Sequence, residues 1–561
     1  MSDRSVQRTR EILESERGAV KKEWGGKIPI CLIYPNHYYV GMSNLGFQTI
    51  YGLLNNHPGI VCERAFLPTR QELEVLQRRK RPLLSLESRR PLNDFEILAF
   101  SISFENDFIN LLTILDLARI RPESSERRDR DPLIVAGGVA TFLNPEPLAD
   151  FIDVFLLGEA EEVLQEFMER YDEARRARTN REEFLHGLVN LEGVYVPRFY
   201  EPLYDSDGLI REVSVSSPAP KRVKRRFVKD VNSFLTSSVI ITPNTEFADM
   251  TLLEVNRGCA RGCLFCSACF LYRPFRNRSL EALTAAAEEG LSKGIRIGLT
   301  GAAVSDHPDL ESLCDFITAA RGQFSLSSVR LDRVTERLGR SLRMAELKTV
   351  ALAPEAGSER LRTLMHKGIK EEDIFRAVEI LLKNGVPNLR LYFLIGIPTE
   401  TEEDLEAIVQ LTRRIKRRML QSVKNTRRLG KITLSINGLV PKPGTPFQWI
   451  PFETVGSLQR KLKAIKNDLR REPNVEVTHD VPKWAYIQSL LSRGDRRVGK
   501  ILLAVHHNGG NWKRAFREIN VNPNFYVYRE RTRQELFPWD FIDHGVSKDR
   551  LWTQYVRAVK R

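Results

Sequence analysis

Nowhere does the chain carry an apolar run near the roughly 20 residues that span a bilayer. The opening stretch, MSDRSVQRTREILESERGAVKKEW, lacks both an apolar core and a small-residue cleavage site, so no secretory signal is read there. The expectation is a cytoplasmic protein with no membrane partner, in a compartment that keeps thiols reduced. Cysteine is scarce, seven in 561 residues, and four of the seven sit at 259, 263, 266 and 269 in EVNRGCARGCLFCSACFLYRPFR (254–276). A disulfide scaffold spreads its cysteines to staple distant loops, so this crowding argues against one. A structural zinc site usually brings two separated pairs, and no matching second pair is present. Internal repeats and low-complexity tracts are also missing.

The formal charge of +14 fits either a nucleic-acid partner or Arg-rich faces in water. Arg and Lys are spread along the chain apart from KRVKRR at 221–226, so solvated faces are the favoured reading. With 42% hydrophobic and 28% charged residues the composition is that of a soluble globular protein, and the length predicts two to four domains.

Hydrophobic periodicity divides the chain. Residues 1–27 are a charged segment. From 28 to 170, strands at 28–35, 95–103, 132–140 and near 154 alternate with helices, one at 43–56 with Ser43 as its N-cap. This predicts a doubly wound, Rossmann-like α/β domain that binds ligands in the turns after its strands. Residues 171–245, with prolines and the basic run, read as a connector. From 246 to 470, strands at 250–255, 295–301, 327–331, 349–357, 389–398 and 432–447 alternate with helices. Six such steps without a hairpin signal predict a partial (β/α)6 barrel. Residues 471–561 are expected to form a small helical region.

The cysteine stretch follows the first barrel strand, and barrel chemistry sits at the C-terminal ends of strands. Its spacing is Cys259-x3-Cys263-x2-Cys266-x2-Cys269. Three thiolates so spaced suit a cubane iron–sulfur cluster, which takes one thiolate per iron and is left with one open iron. Cys259, Cys263, Phe265 and Cys266, placed after such a strand, resemble the signature of the radical S-adenosylmethionine (radical SAM) superfamily. GSERLRTLMHKG (357–368), FLIGIPTETEEDL (393–405) and PKPGTPFQW (441–449) resemble other segments of its members. The resemblance implies a [4Fe–4S] cluster on Cys259, Cys263 and Cys266 whose open iron chelates SAM. It also implies reductive cleavage to a 5′-deoxyadenosyl radical, and a small electron-donor protein of the flavodoxin or ferredoxin type as partner. Cys269 is surplus and reads as a small buried residue at the start of the next helix; Cys263, Cys266 and Cys269 form the alternative triplet.

For SAM, the resemblance points to Phe265, to the backbone of Thr300 and Gly301, to Glu355 and to Gly396. LTGAAVSDH (299–307) lacks the adjacent glycine and acid common in the family. Arg330 and Asp332 are further candidates, equally readable as a rim salt bridge. Residues 28–170 resemble the cobalamin-binding domain of one branch of the superfamily, through VGMSNLG (40–46), FSIS (100–103) and AGGVATFLNPEPLADFIDVFLLGEAEEVL (136–163). Ser101, Gly137, Gly138 and Gly158 are the candidate contacts there. The wider fold's Asp-x-His-x-x-Gly motif is broken at Pro35-Asn36-His37-Tyr38-Tyr39-Val40-Gly41, so His37 is not assigned as a cobalt ligand, and cobalamin stands beside an empty Rossmann-like domain as alternatives.

In the tail, Gly494–Ile501 nearly matches a phosphate-binding loop. It is rejected because Ile501 replaces the required hydroxyl and no strand precedes it. His506 and His507 read as helix-end residues. The leading function is cobalamin-assisted methyl transfer to an unknown substrate. One alternative is a methylthiotransferase-like RNA modification, which needs three N-terminal cysteines where this chain has Cys31 and Cys62. The other is a non-catalytic iron–sulfur protein that senses or binds RNA.

Overall fold

The run Ile28–Tyr34 (β1) is buried at all seven positions, as a central parallel strand covered on both faces must be. The computed structural model, which describes residues 3–422 and 430–560, pairs it in parallel with β2 (Ile60–Phe66) and β3 (Ile97–Ser101). With β4 (Leu133–Gly137), β5 (Val154–Leu156) and an antiparallel β6 (Val194–Tyr195), the sheet order is β2-β1-β3-β4-β5-β6. This is the expected doubly wound sheet, and its direction reverses between β1 and β3, where such sheets take ligands. β2 escapes the periodicity reading because Glu63 and Arg64 interrupt it. Arg64 is nonetheless fully buried, between Glu16 and Glu87 at 2.7 Å each. The first long helix begins at Leu45, and its cap is Asn44, whose Oδ1 accepts from the Phe47 N–H at 2.9 Å. Ser43 instead closes the short helix Tyr38–Met42.

The segment read as a connector contributes β6 to the first sheet, a hairpin of β7 (Tyr200–Tyr204) and β8 (Ile210–Val215), and β9 (Val223–Lys224). β9 pairs with β18 (Ile542–Asp543) near the C-terminus. The basic run is partly consumed inside the fold: Arg226 meets Glu162 at 3.0 Å, and Arg225 is buried.

The second sheet system is the curled parallel array. β10 (Met250–Arg257), β12 (Arg296–Gly301) and β13 (Phe324–Leu326) form one part. β14 (Thr349–Glu355), β15 (Asn388–Ile395), β16 (Ile432–Gly438) and β17 (Val475–His479) form the other. A single bridge, Val329 to Leu352, joins them. The third strand thus lies at 324–326, earlier than expected, and 327–331 contributes only that bridge. β17 is a seventh strand inside the region expected to be helical; it is short and half-exposed, and it ends the sheet. Helices Pro482–Arg493, Val498–His507, Trp512–Glu518, Pro523–Val527 and Lys548–Val559 make up most of the tail. Gly494 links two of them with no strand before it, and His506 and His507 end the second. Among the described residues, no helix is long and apolar enough to cross a membrane.

One carboxylate joins the two parts. Gly158 turns at φ 116°, where a Cβ would come within 2.1 Å of the Arg226 carbonyl oxygen. Glu159 follows and receives Arg276 at 2.7 Å, Arg257 at 2.9 Å and the Val228 N–H at 2.9 Å. Arg257 also meets Glu161 and Glu254. Burial alone would raise the Glu159 carboxyl, but the Arg276 hydrogen bond and the two guanidinium charges outweigh it and hold the group below its ordinary value.

Past β3, two carboxylates two residues apart are driven in opposite directions. Burial pushes Glu105 up, but Lys442, in contact with it, reverses the shift and keeps it ionised. Asp107 is buried with only Asn36 (2.8 Å) and Asn110 as donors, and burial, reinforced by Glu105, pushes it up to about 7.

Two tests follow from these groups. Glu159→Ala strands buried Arg276 without a carboxylate and should cost about 3–5 kcal/mol, read as a lowered thermal midpoint; an unchanged midpoint contradicts the role. Asp107 binds its proton more tightly folded than unfolded, so its contribution is full below about pH 4 and is lost as pH rises through about 7. Asp107→Asn should flatten the fall in stability between about pH 4 and 7, by up to roughly 4 kcal/mol, in denaturant titrations at the two ends of that range. A variant slope matching the parent's would exclude it.

Candidate functional site

β10 leaves its sheet at Gly258, where φ is 80° and a Cβ would come within 2.2 Å of the Tyr272 carbonyl oxygen, so only glycine makes this turn. The chain returns through β11 (Arg276–Asn277), which pairs antiparallel with Asn256 and Arg257 and pinches residues 258–275 into a closed loop. The Cys266 N–H donates to the Cys263 carbonyl and the Cys269 N–H to the Cys266 carbonyl, each at 3.1 Å, leading into the short helix Ser267–Phe270. The Leu264 N–H donates to the Met365 carbonyl at 3.1 Å, and its own carbonyl accepts from the Phe447 N–H at 3.3 Å. Two of the motif segments read from sequence, 357–368 and 441–449, thereby hold this loop in place.

The thiols converge inside it. Cys269 is buried on that helix, and its thiol lies close enough to those of Cys259, Cys263 and Cys266 for all four to interact. Contact with one another pushes Cys269 up and is the largest cause holding the other three below the ordinary thiol value, Cys259 to about 6. Lys367 and Arg330 add positive charge that further lowers Cys263. The donor set is thus sulfur alone, with three members held toward thiolate in a cationic frame, which is the chemistry an iron–sulfur cluster requires. Among the described residues, no three His, Cys, Asp or Glu side chains are spaced for one metal ion.

A cavity of about 760 Å³ opens beside the loop, lined by Phe265, Cys266, Ser267, Glu355, Leu394 and Lys442 among others. Glu355 ends β14 with φ 68°, a left-handed conformation that costs on the order of 1 kcal/mol or more in a non-glycine residue. Its carboxylate bonds to Lys367 at 2.8 Å. Gly396 turns at φ 77° against Glu453 and Leu458, and Leu394 lines the cavity in its place. Gly301 permits Asn256 to approach: a Cβ there would lie 2.5 Å from Asn256 Oδ1. Arg330 and Asp332 pair with each other at 2.9 Å, and Arg261 joins Asp306 and Asp332, so these residues form the rim salt bridges of the alternative reading.

A second cavity, about 390 Å³, lies where the first sheet reverses direction. It brings together Ser101, Gly137, Gly138 and Gly158, all four N-terminal candidates. Its floor is apolar, with Ile30, Leu32, Ala99 and Val135 from the strands, and Asn44 and Ser103 are polar groups at its wall. Glu254, Arg257, Thr300 and Tyr272 of the barrel side complete it, so Thr300 faces this cavity. Gly138 turns at φ 106°, where a Cβ would strike the Ile102 carbonyl oxygen at 2.5 Å. His37 lines neither cavity; it is exposed and its Nδ1 lies 3.1 Å from the Leu67 carbonyl oxygen. A slot of this size and polarity fits a planar ring with a polar edge, such as the base of a corrinoid's nucleotide tail. Sequence reasoning passed over Glu159, Lys367 and Lys442, although all three sit inside quoted motif segments.

Residues 46–197 match a family described as radical SAM proteins, N-terminal, and residues 253–412 match the radical SAM superfamily. An uncharacterized protein of Methanocaldococcus jannaschii is 31% identical over 481 residues, covering 84% of this chain and 90% of that one. The ribosomal protein uS12 methylthiotransferase RimO of Pelotomaculum thermopropionicum is 24% identical over 294 residues, 48% of this chain and 64% of the relative. Among solved structures, the radical S-adenosylmethionine methyltransferase TsrM from Kitasatospora setae, with cobalamin and a [4Fe–4S] cluster bound, superposes with a TM-score of 0.54 at 13% identity, over 87% of this chain and 97% of that one. That superposition shows a common fold. With both halves of the chain matched and the cysteine loop at the mouth of its open barrel, the protein belongs to the radical SAM superfamily and is an enzyme.

Proposed function

We propose that this enzyme transfers a methyl group to a carbon centre, with a [4Fe–4S] cluster and SAM at the barrel mouth and a corrinoid between the two parts of the chain. The observation that carries this reading is the 390 Å³ cavity, whose walls come from the N-terminal sheet, from β10 and β12, and from Tyr272 of the cysteine loop itself. When bound, the cluster would supply the electron that cleaves SAM to a 5′-deoxyadenosyl radical, and the corrinoid a methyl group that can pass to a carbon radical.

The chain's own residues have definable tasks. Cys259, Cys263 and Cys266 would hold the cluster, and their surroundings already favour the thiolate each must become. Cys269 would pack beside them as a fourth thiol. Phe265 and Glu355 line the cavity beside Cys266, where SAM would sit, and Lys367 fixes the Glu355 carboxylate. All seven cysteines are free thiols, in keeping with a reducing cytoplasm and a small flavodoxin- or ferredoxin-type electron donor. A methylthiotransferase reading needs further thiols for a second cluster; Cys31 and Cys62 lie wholly buried on β1 and β2, where burial pushes both thiols up.

Anaerobic purification with cobalamin present, followed by an optical spectrum and a 5′-deoxyadenosine assay, tests the reading. Cluster without corrinoid removes methyl transfer and leaves the radical enzyme. Ala99→Phe, which fills the slot, should lower corrinoid occupancy about tenfold at unchanged iron content; equal occupancy would place the corrinoid elsewhere. Alanine at Cys259, Cys263 or Cys266 should abolish 5′-deoxyadenosine formation, while Cys269→Ala should retain more than about a tenth of it. The opposite pattern, with Cys269 indispensable and Cys259 dispensable, assigns the ligands to the alternative triplet.

A further inference from the structure

β17 ends its sheet, and among the described residues no strand pairs with its outer edge. The Asn474 carbonyl accepts from the Ile432 N–H at 2.9 Å, and the alternation of a parallel ladder then turns the N–H and C=O of Val477 away from β16. Beside that edge runs a groove of about 840 Å³ whose other wall is the helix Val455–Leu469. Lys463, Lys466 and Arg470 share one face of this wall and are exposed; among the described residues none has a carboxylate partner, and Lys466 reaches only the His479 ring at 3.2 Å. Val475 and Val477 line the groove between these cations. The groove and the 760 Å³ cavity share His479, Val481 and Pro482, so the two adjoin. Eight large hydrophobic side chains are exposed among the described residues, and three of them, Phe104, Val481 and Trp484, ring the junction.

We infer that this groove docks an acidic, extended polypeptide and leads one of its residues to the barrel mouth. The inference rests on reading the 760 Å³ cavity as the reaction site. A strand laid against β17 would satisfy the outward N–H and C=O of Val477, and its side chains would alternate between the valines and the open face. Carboxylates on such a chain would meet the unneutralised Lys463, Lys466 and Arg470. Single-stranded nucleic acid is the other polyanion to weigh, but it is held by rings that stack on its bases. No Phe, Tyr or Trp lines the groove; the aromatic residues gather at the mouth. An open peptide edge flanked by aliphatic and cationic side chains therefore fits a polypeptide better.

The test is fluorescence anisotropy of the full chain with a labelled peptide of four Glu-Val repeats, the same peptide N-methylated at alternate residues, a Lys-Val analogue and an oligouridylate. The Glu-Val peptide should bind, and the triple substitution Lys463→Glu, Lys466→Glu, Arg470→Glu should weaken it at least about tenfold. N-methylation should weaken it comparably, because it removes the edge hydrogen bonds, and the Lys-Val analogue should not bind. If the triple variant has a lowered melting midpoint, Lys463→Gln alone should weaken binding about threefold. Peptide affinity that ignores these substitutions or the N-methyl groups overturns the inference, and so does oligouridylate binding that is tighter than the peptide's and lost in the triple variant. Binding needs neither cluster nor SAM and should persist in Cys263→Ala, so failure here is distinguishable from failure of the methyl-transfer reading.

Discussion

The Glu159 carboxylate sets the geometry on which everything else depends. Arg257 and Arg276 are register partners at the neck of the cysteine loop, and both end on this one side chain of the N-terminal part. Buried charges are costly unless each finds its partner, so the arrangement tolerates little displacement of one part against the other. A hydrophobic joint of equal area could slide and still bury the same surface. Here, a shift of a few ångströms would leave Arg276 without a carboxylate and take Glu159 and Glu161 from Arg257. The distance between the interdomain cavity and the loop that would carry the cluster is therefore held by electrostatics, and Tyr272, inside the loop and lining that cavity, is fixed with it.

The same logic runs through the sulfur site. Thiolates brought together repel one another, and burial adds to the cost. Arg330 offsets this at Cys259 and Cys263, and Lys367 at Cys263.

Much of this was legible in the sequence. β1 and β3 announce themselves by continuous apolar runs, and the cysteine spacing with Phe265 identified the loop. What stayed hidden was carried by long-range pairing. β2 was missed because hydropathy cannot know that Arg64 is neutralised by Glu16 and Glu87. β17 was missed because a five-residue, half-exposed strand among helices has no periodic signal of its own; its partner β16 defines it. Thr300 was named for SAM through its backbone, by resemblance; that it also lines the interdomain cavity depends on register, which spacing does not report. Glu159 carried no signal at all, since a Glu beginning a helix is ordinary until its three partners are known.

The segment after β3 shows how closely the two cavities are coupled. Ser101 and Ser103 line the interdomain cavity, while Phe104 and Asn106 line the one beside Cys266. A single extended stretch is thus the partition between them. Its position is set by Glu105, which is buried against Lys442 of the 441–449 segment and accepts from Gln488 of the helix Pro482–Arg493 at 2.9 Å. Three distant parts of the chain meet at one carboxylate, so the tail is more than a cap on the barrel. It supplies Trp484 and Gln488 to the mouth and holds the wall between the two chambers. The residues that position this wall therefore shape both cavities at once.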